Sequence, residues 1–156
     1  INCSAADKMF IGVWGQSCNG LSSSGQYPNI NQWNHVVLER DGSNNNSVYL
    51  NGTRVIYVNG SIRLGLNGAN PFVIGQIERG SFTGYLSNFR LVSGSALYSG
   101  TSITVPTSPL TLTVPSGTVR SLLLTKSDIG VLLDETSAQS FTSPGTYSFS
   151  SDNPFR

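Results

Sequence analysis

The acids that could work together lie at one place. In Glu39-Arg40-Asp41 two carboxylates stand at i and i+2, which an extended strand points to one face. Paired carboxylates on one face are what a glycanase needs, one group as acid and the other as nucleophile. No third acid continues the pattern, because Ser43 and Asn44 follow, and Asp41-Gly42 reads as the turn that ends a strand. Asp134-Glu135 would point to opposite faces if extended, so they cannot act as a pair. His35 is the only histidine, and any Ser-His-Asp device would have to use it. No Gly-x-x-x-x-Gly-Lys phosphate loop occurs. The chain therefore reads as non-enzymatic, with no catalytic residue assigned and a glycanase as the distant third reading.

Cys3 and Cys18 are either two thiols or one disulfide closing a small loop, and two cysteines alone do not decide between them. With a single histidine, a zinc ligand set stops at three. Asn2, Asn45, Asn51 and Asn59 each begin an Asn-x-Ser/Thr triplet. In a chain this rich in those residues such matches arise by composition.

Charge is scarce. Only 11% of residues are charged and the net charge is +1, whereas soluble domains average about 25% charged residues. The chain instead carries 24 Ser, 14 Asn, 12 Thr and 17 Gly, so neutral hydrogen-bonding groups replace charges. This composition gives no means of neutralising a phosphate backbone, which argues against nucleic acid as a partner. No apolar run is long enough to cross a membrane as a helix, and no leader pattern is visible at Ile1. Because the first residue is not Met, we expect a piece of a longer chain, here a single domain spanning 1–156.

The elements that must position these residues are short and β. Apolar runs rich in Val, Ile, Tyr and Phe are bounded by Gly, Asn, Ser and Pro clusters. Strands are expected at Met9–Trp14, Trp33–Arg40, Ser47–Leu50, Thr53–Tyr57, Phe72–Gly75, Gly84–Val92, Val119–Leu124 and Tyr147–Ser150. Asn51-Gly52 is the preferred pair for a type I′ turn. A two-residue loop sets Leu50 opposite Thr53, Tyr49 opposite Arg54 and Val48 opposite Val55. Val48, Leu50, Val55 and Tyr57 then share the core face, while Tyr49, Arg54 and Ile56 share the other, where Arg54 can stack on Tyr49. Asp41 to Asn46 is read as a polar connection, and a bulge near Ser87–Asn88 would bring Leu86 into step with Phe89 and Leu91. Ser93 to Pro115 reads as a long surface connection pinned through Leu97, Tyr98, Ile103 or Val105, and Phe141 to Phe155 as a closing strand.

Five pieces in order carry a family resemblance: Trp33-Asn34-His35-Val36, Val48-Tyr49-Leu50-Asn51-Gly52, Phe72-Val73-Ile74-Gly75, Phe82-Thr83-Gly84-Tyr85 and Phe89-Arg90-Leu91. Together they resemble the laminin G-like, concanavalin A-like jelly rolls. The segment from Ala96-Leu97-Tyr98 to Val105-Pro106-Thr107-Ser108-Pro109 is similar to the version found in phage and large-virus structural proteins. The resemblance covers Trp33 to Leu124. It implies an all-β, antiparallel β-sandwich of the jelly-roll type. The sequence departs from the pattern at the front, where only Met9–Trp14 and a Ser-rich stretch precede Trp33. Either the usual N-terminal strands lie upstream or another chain supplies them, and a sandwich without its first strand has an edge open to pairing. The resemblance places His35 on a strand beside a core Trp.

The resemblance also raises ligands. Some laminin G-like domains hold calcium at a rim, for which Asp41, Asn44, Asn45 and Asn46 would supply oxygens. Only one of these is charged, so a polar loop without metal is the competing reading, and no other cofactor is implied. For a carbohydrate, aromatic faces and amide or guanidinium donors are needed. Trp14, Tyr27, Tyr49, Arg54, Tyr85 and Tyr98 are the candidates where exposed. The expected role is a structural and recognition module of a virion (capsid, fibre or decoration) or surface appendage, at the virion or cell surface. Its partners would be other protein subunits, with glycan contact in addition. The alternative is an extracellular lectin or adhesin domain.

Overall fold

The computed structural model describes residues 28–59, 74, 76–77, 80–111, 113, 120–124 and 148–155. Met9–Trp14, Cys3, Cys18, Trp14 and Tyr27 lie outside the described residues. Every regular element among those described is a β-strand and every pairing is antiparallel, in agreement with the expected all-β sandwich class. Contacts gather the chain into two compact units, Ile1–Leu64 with Ser95–Val105, and Gly65–Gly94 with Pro106–Arg156.

The first unit holds a three-stranded sheet of β1 (Val36–Arg40), β2 (Asn45–Leu50) and β3 (Thr53–Asn59), in that order. Asn51 and Gly52 take φ of 49° and 88°, the left-handed pair that a type I′ turn requires. Leu50 pairs with Thr53 and Tyr49 with Arg54, as the turn dictates. Beyond that point the register shifts, and Val48 pairs with Ile56 rather than Val55. A β-bulge at Val55 inserts one residue and reverses the alternation that follows. The expected face assignment is therefore corrected: Ile56 joins Val48, Leu50 and Val55 in the buried core, packed by Val58, while Tyr57 turns outward at 52% exposed. Tyr57 and Arg54 now share the polar face with Tyr49, Ser47, Val37 and Glu39.

β1 and β2 join through a tight loop. Asn44 donates its N–H to the Asp41 carbonyl and takes φ 64°, and Asp41 donates its own N–H to the Asn45 carbonyl. A reverse turn followed by one left-handed residue is the three-residue hairpin pattern. The polar connection is shorter than the sequence suggested, since Asn45 and Asn46 belong to β2 and Asn46 is fully buried. Along β1 the apolar side chains Val36 and Leu38 stand beside Leu50 and Val48 yet are 52% and 49% exposed.

In the second unit β4 (Gln76–Ile77) pairs with β5 (Gly80–Ser81), and β6 (Phe89–Ser93) pairs with β7 (Arg120–Leu124). The strand expected over Gly84–Val92 begins only at Phe89. Asn88 at φ 53° stops it, and the Asn88 carboxamide instead accepts the Leu110 N–H at 3.0 Å. Leu86 is consequently not brought into step and stays exposed. Ile74 is in no strand, while Phe72, Val73 and Gly75 lie outside the described residues. Residues 148–155 form turns rather than a closing strand: Ser150 Oγ accepts the Asp152 N–H and Asn153 Oδ1 accepts the Phe155 N–H. The preceding part of that expected strand, 141–147, lies outside the described residues.

Candidate functional site

The polar face of the three-stranded sheet is where the chemistry-bearing side chains meet, and Ser95–Val105 crosses part of it. Glu39 anchors this segment. Its Oε2 accepts the backbone N–H groups of both Leu97 and Tyr98 at 2.7 Å. Bonds to an ionised acceptor are roughly twice as strong as neutral ones, so one carboxylate fixes two consecutive amides. Further along, Tyr49 donates its hydroxyl to the Gly100 carbonyl at 3.2 Å, Arg54 N–H meets the Thr101 carbonyl at 2.9 Å, and Ile103 N–H meets the Gly52 carbonyl at 2.8 Å. Thr53 and Ser102 form a bridge, so the segment acts locally as an added strand. Leu97, Tyr98, Ile103 and Val105, the expected pins, all take part.

This docking decides which candidates can touch a ligand. Tyr49 is only 1% exposed, its ring centroid 6.3 Å from that of Tyr98. Burial removes Tyr49 as a stacking platform, and Tyr98 is half-buried beside it. Arg54 does not stack on Tyr49, because the bulge carries it to Tyr57: the guanidinium carbon lies 4.3 Å from the Tyr57 ring centroid. This places a cation on an exposed aromatic, with the Asn45–Asn59 amide pair next along the same face. Tyr57 is the residue that alternation missed. The signal was present in two adjacent β-branched residues, Val55-Ile56, where a half-buried strand accommodates one. In the second unit Tyr85 is 62% exposed, with Phe82 and Leu86 exposed near it in sequence.

Neither carboxylate of Glu39-Arg40-Asp41 projects freely. Glu39 is held by the two amides. Asp41 accepts Asn45 Nδ2 at 2.7 Å, Asn45 N–H at 2.9 Å and Ser43 N–H at 2.8 Å. These bonds, led by the Asn45 side chain, hold its carboxyl below the usual carboxylate range. The calcium candidates fare similarly. Asn44 Oδ1 faces the Arg40 guanidinium, Asn45 Oδ1 accepts Asn59 Nδ2 at 2.7 Å, and Asn46 is buried with Nδ2 on the Asn44 carbonyl. The Asn44 and Asn45 oxygens are thus each turned to a donor, and for Asn44 that donor is the Arg40 cation. No cluster of three His, Cys, Asp or Glu able to hold a metal occurs among the described residues.

The His35 backbone is tied to the hairpin tip. Its N–H donates to Asn51 Oδ1 at 2.9 Å and its carbonyl accepts the Asn51 N–H at 2.9 Å. Partial burial pushes its imidazole pKa down from the ordinary value of 6.5. Asn51 Nδ2 in turn donates to Asn34 Oδ1. The Trp33-Asn34-His35 and Asn51-Gly52 pieces of the sequence thus form one hydrogen-bonded assembly.

A family model described as the concanavalin A-like lectin/glucanases superfamily matches residues 1–99. No curated protein and no solved structure matches the chain.

Proposed function

Because the chain belongs to the concanavalin A-like lectin/glucanase superfamily, we propose that it is a non-catalytic β-sandwich module that works by surface contact with other protein subunits. The setting proposed is a virion or a surface appendage, where it would serve as a capsid, fibre or decoration component. One observation carries the reading. The apolar face does not stop at the buried core but continues onto β1, where Val36 and Leu38 are about half exposed next to Leu50 and Val48. An apolar strip on β1, the edge strand of this sheet among the described residues, is suited to another subunit. The engagement of Glu39 and Asp41 by backbone amides supports the non-catalytic part, and scarce charge keeps the desolvation cost of a packed interface low.

Sedimentation of the protein over a concentration series tests this. Self-association that is lost in Val36→Lys and Leu38→Lys, with thermal unfolding unchanged, is expected. A monodisperse wild-type monomer at high concentration overturns it.

A second reading, glycan contact, is favoured by the Arg54–Tyr57 pair on the exposed part of the polar face. It requires saturable binding on a glycan array that weakens in Tyr57→Ala and Arg54→Ala. Binding unaffected by both removes this site from consideration.

A further inference from the structure

Four Asn-Gly pairs occur, beginning at Asn19, Asn51, Asn59 and Asn67. In such a pair glycine has no Cβ to hinder the approach of its own nitrogen to the preceding side chain. The Gly52 nitrogen can attack Asn51 Cγ and lose its proton as ammonia departs, closing a succinimide ring. Water then opens the ring at either carbonyl, leaving an aspartate or an isoaspartate at position 51. Only water is consumed, and nothing is oxidised or reduced.

The fold opposes the first step. Attack requires the carboxamide to swing over the Gly52 nitrogen, and both of its ends are held elsewhere. Oδ1 accepts the His35 N–H and Nδ2 donates to Asn34 Oδ1, each at 2.9 Å. Asn34 is itself fixed, because its Oδ1 also accepts the Asn29 N–H while Nδ2 donates to the Asn29 and Gln32 carbonyls. Gly52 is buried, with its carbonyl on the Ile103 N–H. Asn59 provides the contrast within the same sheet: among the described residues its exposed carboxamide makes one bond, from Nδ2 to Asn45 Oδ1.

We propose that Asn51 is a latent self-modification site, held shut by the Asn34 clamp and released when the hairpin tip opens. The product is not silent. An aspartate would set a carboxylate against the Asn34 Oδ1 that now accepts Nδ2. An isoaspartate would add a backbone atom to a two-residue turn whose length fixes the β2–β3 register. Either product loses the Nδ2 bond to Asn34 that helps tie the turn to the segment leading into β1, so copies that have opened are marked irreversibly.

Peptide mapping by mass spectrometry in mildly alkaline buffer tests the clamp. Asn51 is expected to convert more slowly in the native protein than in the urea-unfolded chain, and more slowly than Asn59. Asn34→Ala raises the native rate at Asn51 by about 5- to 30-fold, the loss of one or two hydrogen bonds from the closed state. Should circular dichroism find Asn34→Ala unfolded, wild-type protein in urea below its transition takes its place. The Asn51 rate must then rise in step with hydrogen exchange at the Asn51 amide. Equal rates in native and unfolded chains overturn the proposal. So does a folded Asn34→Ala no faster than wild type, or a rate that stays flat while the amide opens.

Discussion

Glu39 is the point at which the crossing segment is most open to perturbation. Its Oε2 receives two N–H bonds of 2.7 Å from consecutive residues. A hydrogen bond to a charged group contributes about 1.5–3 kcal/mol net, and two sharing one half-buried oxygen contribute less than twice that. Glu39→Ala is therefore expected to destabilise the fold by about 2–4 kcal/mol, partly offset by water reaching the freed amides. Glu39→Gln retains an oxygen but no charge, and should lose about half as much. The segment does not detach, since Gly100, Thr101 and Ile103 remain bonded to Tyr49, Arg54 and Gly52. Residue-resolved hydrogen exchange should show faster exchange at Leu97 and Tyr98 with little change at Arg54 and Ile103. Urea unfolding supplies the free energy. Combining Glu39→Ala with Tyr49→Phe should give a coupling of at least about 0.5 kcal/mol, because both side chains hold the same segment. A Glu39→Ala effect under about 0.5 kcal/mol, with both amides still protected, refutes the reasoning.

Gly52→Ala should cost more than about 2 kcal/mol, because the residue sits at φ +88° and a Cβ would lie 2.8 Å from the Ile103 carbonyl oxygen. Gly42→Ala, with nothing within 4 Å of its Cβ, is the control and should stay within about 0.5 kcal/mol of wild type in the same thermal melt. The pH dependence follows from two depressed pKa values. His35 is lowered by burial, so the unfolded chain binds the proton more readily. Stability is full above the ordinary value of 6.5, declines as pH falls below it, and levels off once the folded pKa is passed. Asp41, lowered by its Asn45 and Ser43 bonds, contributes stability above its ordinary value of 3.8 that is lost as pH falls through the folded pKa. Melting temperature against pH should show both declines, and His35→Gln should abolish only the upper one.

Local rules read well wherever a single chemical requirement governed the chain. Asn51-Gly52 needed two left-handed residues, and the turn, Leu50↔Thr53 and Tyr49↔Arg54 followed from it. Alternation failed one residue further on, because Val55 and Ile56 are both buried and the strand bulges to admit them. That shift moved Tyr57 from the expected core to the exposed face and brought Arg54 to it. The run Val48-Tyr49-Leu50 carried a related signal, since an unbroken apolar stretch implies a strand covered on both sides. What covers Tyr49 is a segment some fifty residues away in sequence, and no local pattern could reveal it. The long-range partners of Glu39 were hidden for the same reason, which is why a strand-end acid could be weighed as catalytic at all.

The scarcity of charge acquires a structural meaning in these contacts. The carboxamides of Asn34, Asn51 and Asn88 bind backbone groups, and those of Asn45 and Asn59 bind one another across the ends of β2 and β3. A carboxamide both donates and accepts, so one side chain can close a turn and tie it to a neighbour without a counterion. Neutral ties of this kind can be covered by another subunit without the desolvation cost that accompanies burying charge. Asparagine before glycine is also the residue most exposed to slow hydrolysis, and here the same bonds that tie the turn hold the Asn51 carboxamide away from the Gly52 nitrogen. Folding and chemical persistence at the hairpin tip thus depend on one set of hydrogen bonds, so weakening the Asn34 tie should compromise both together.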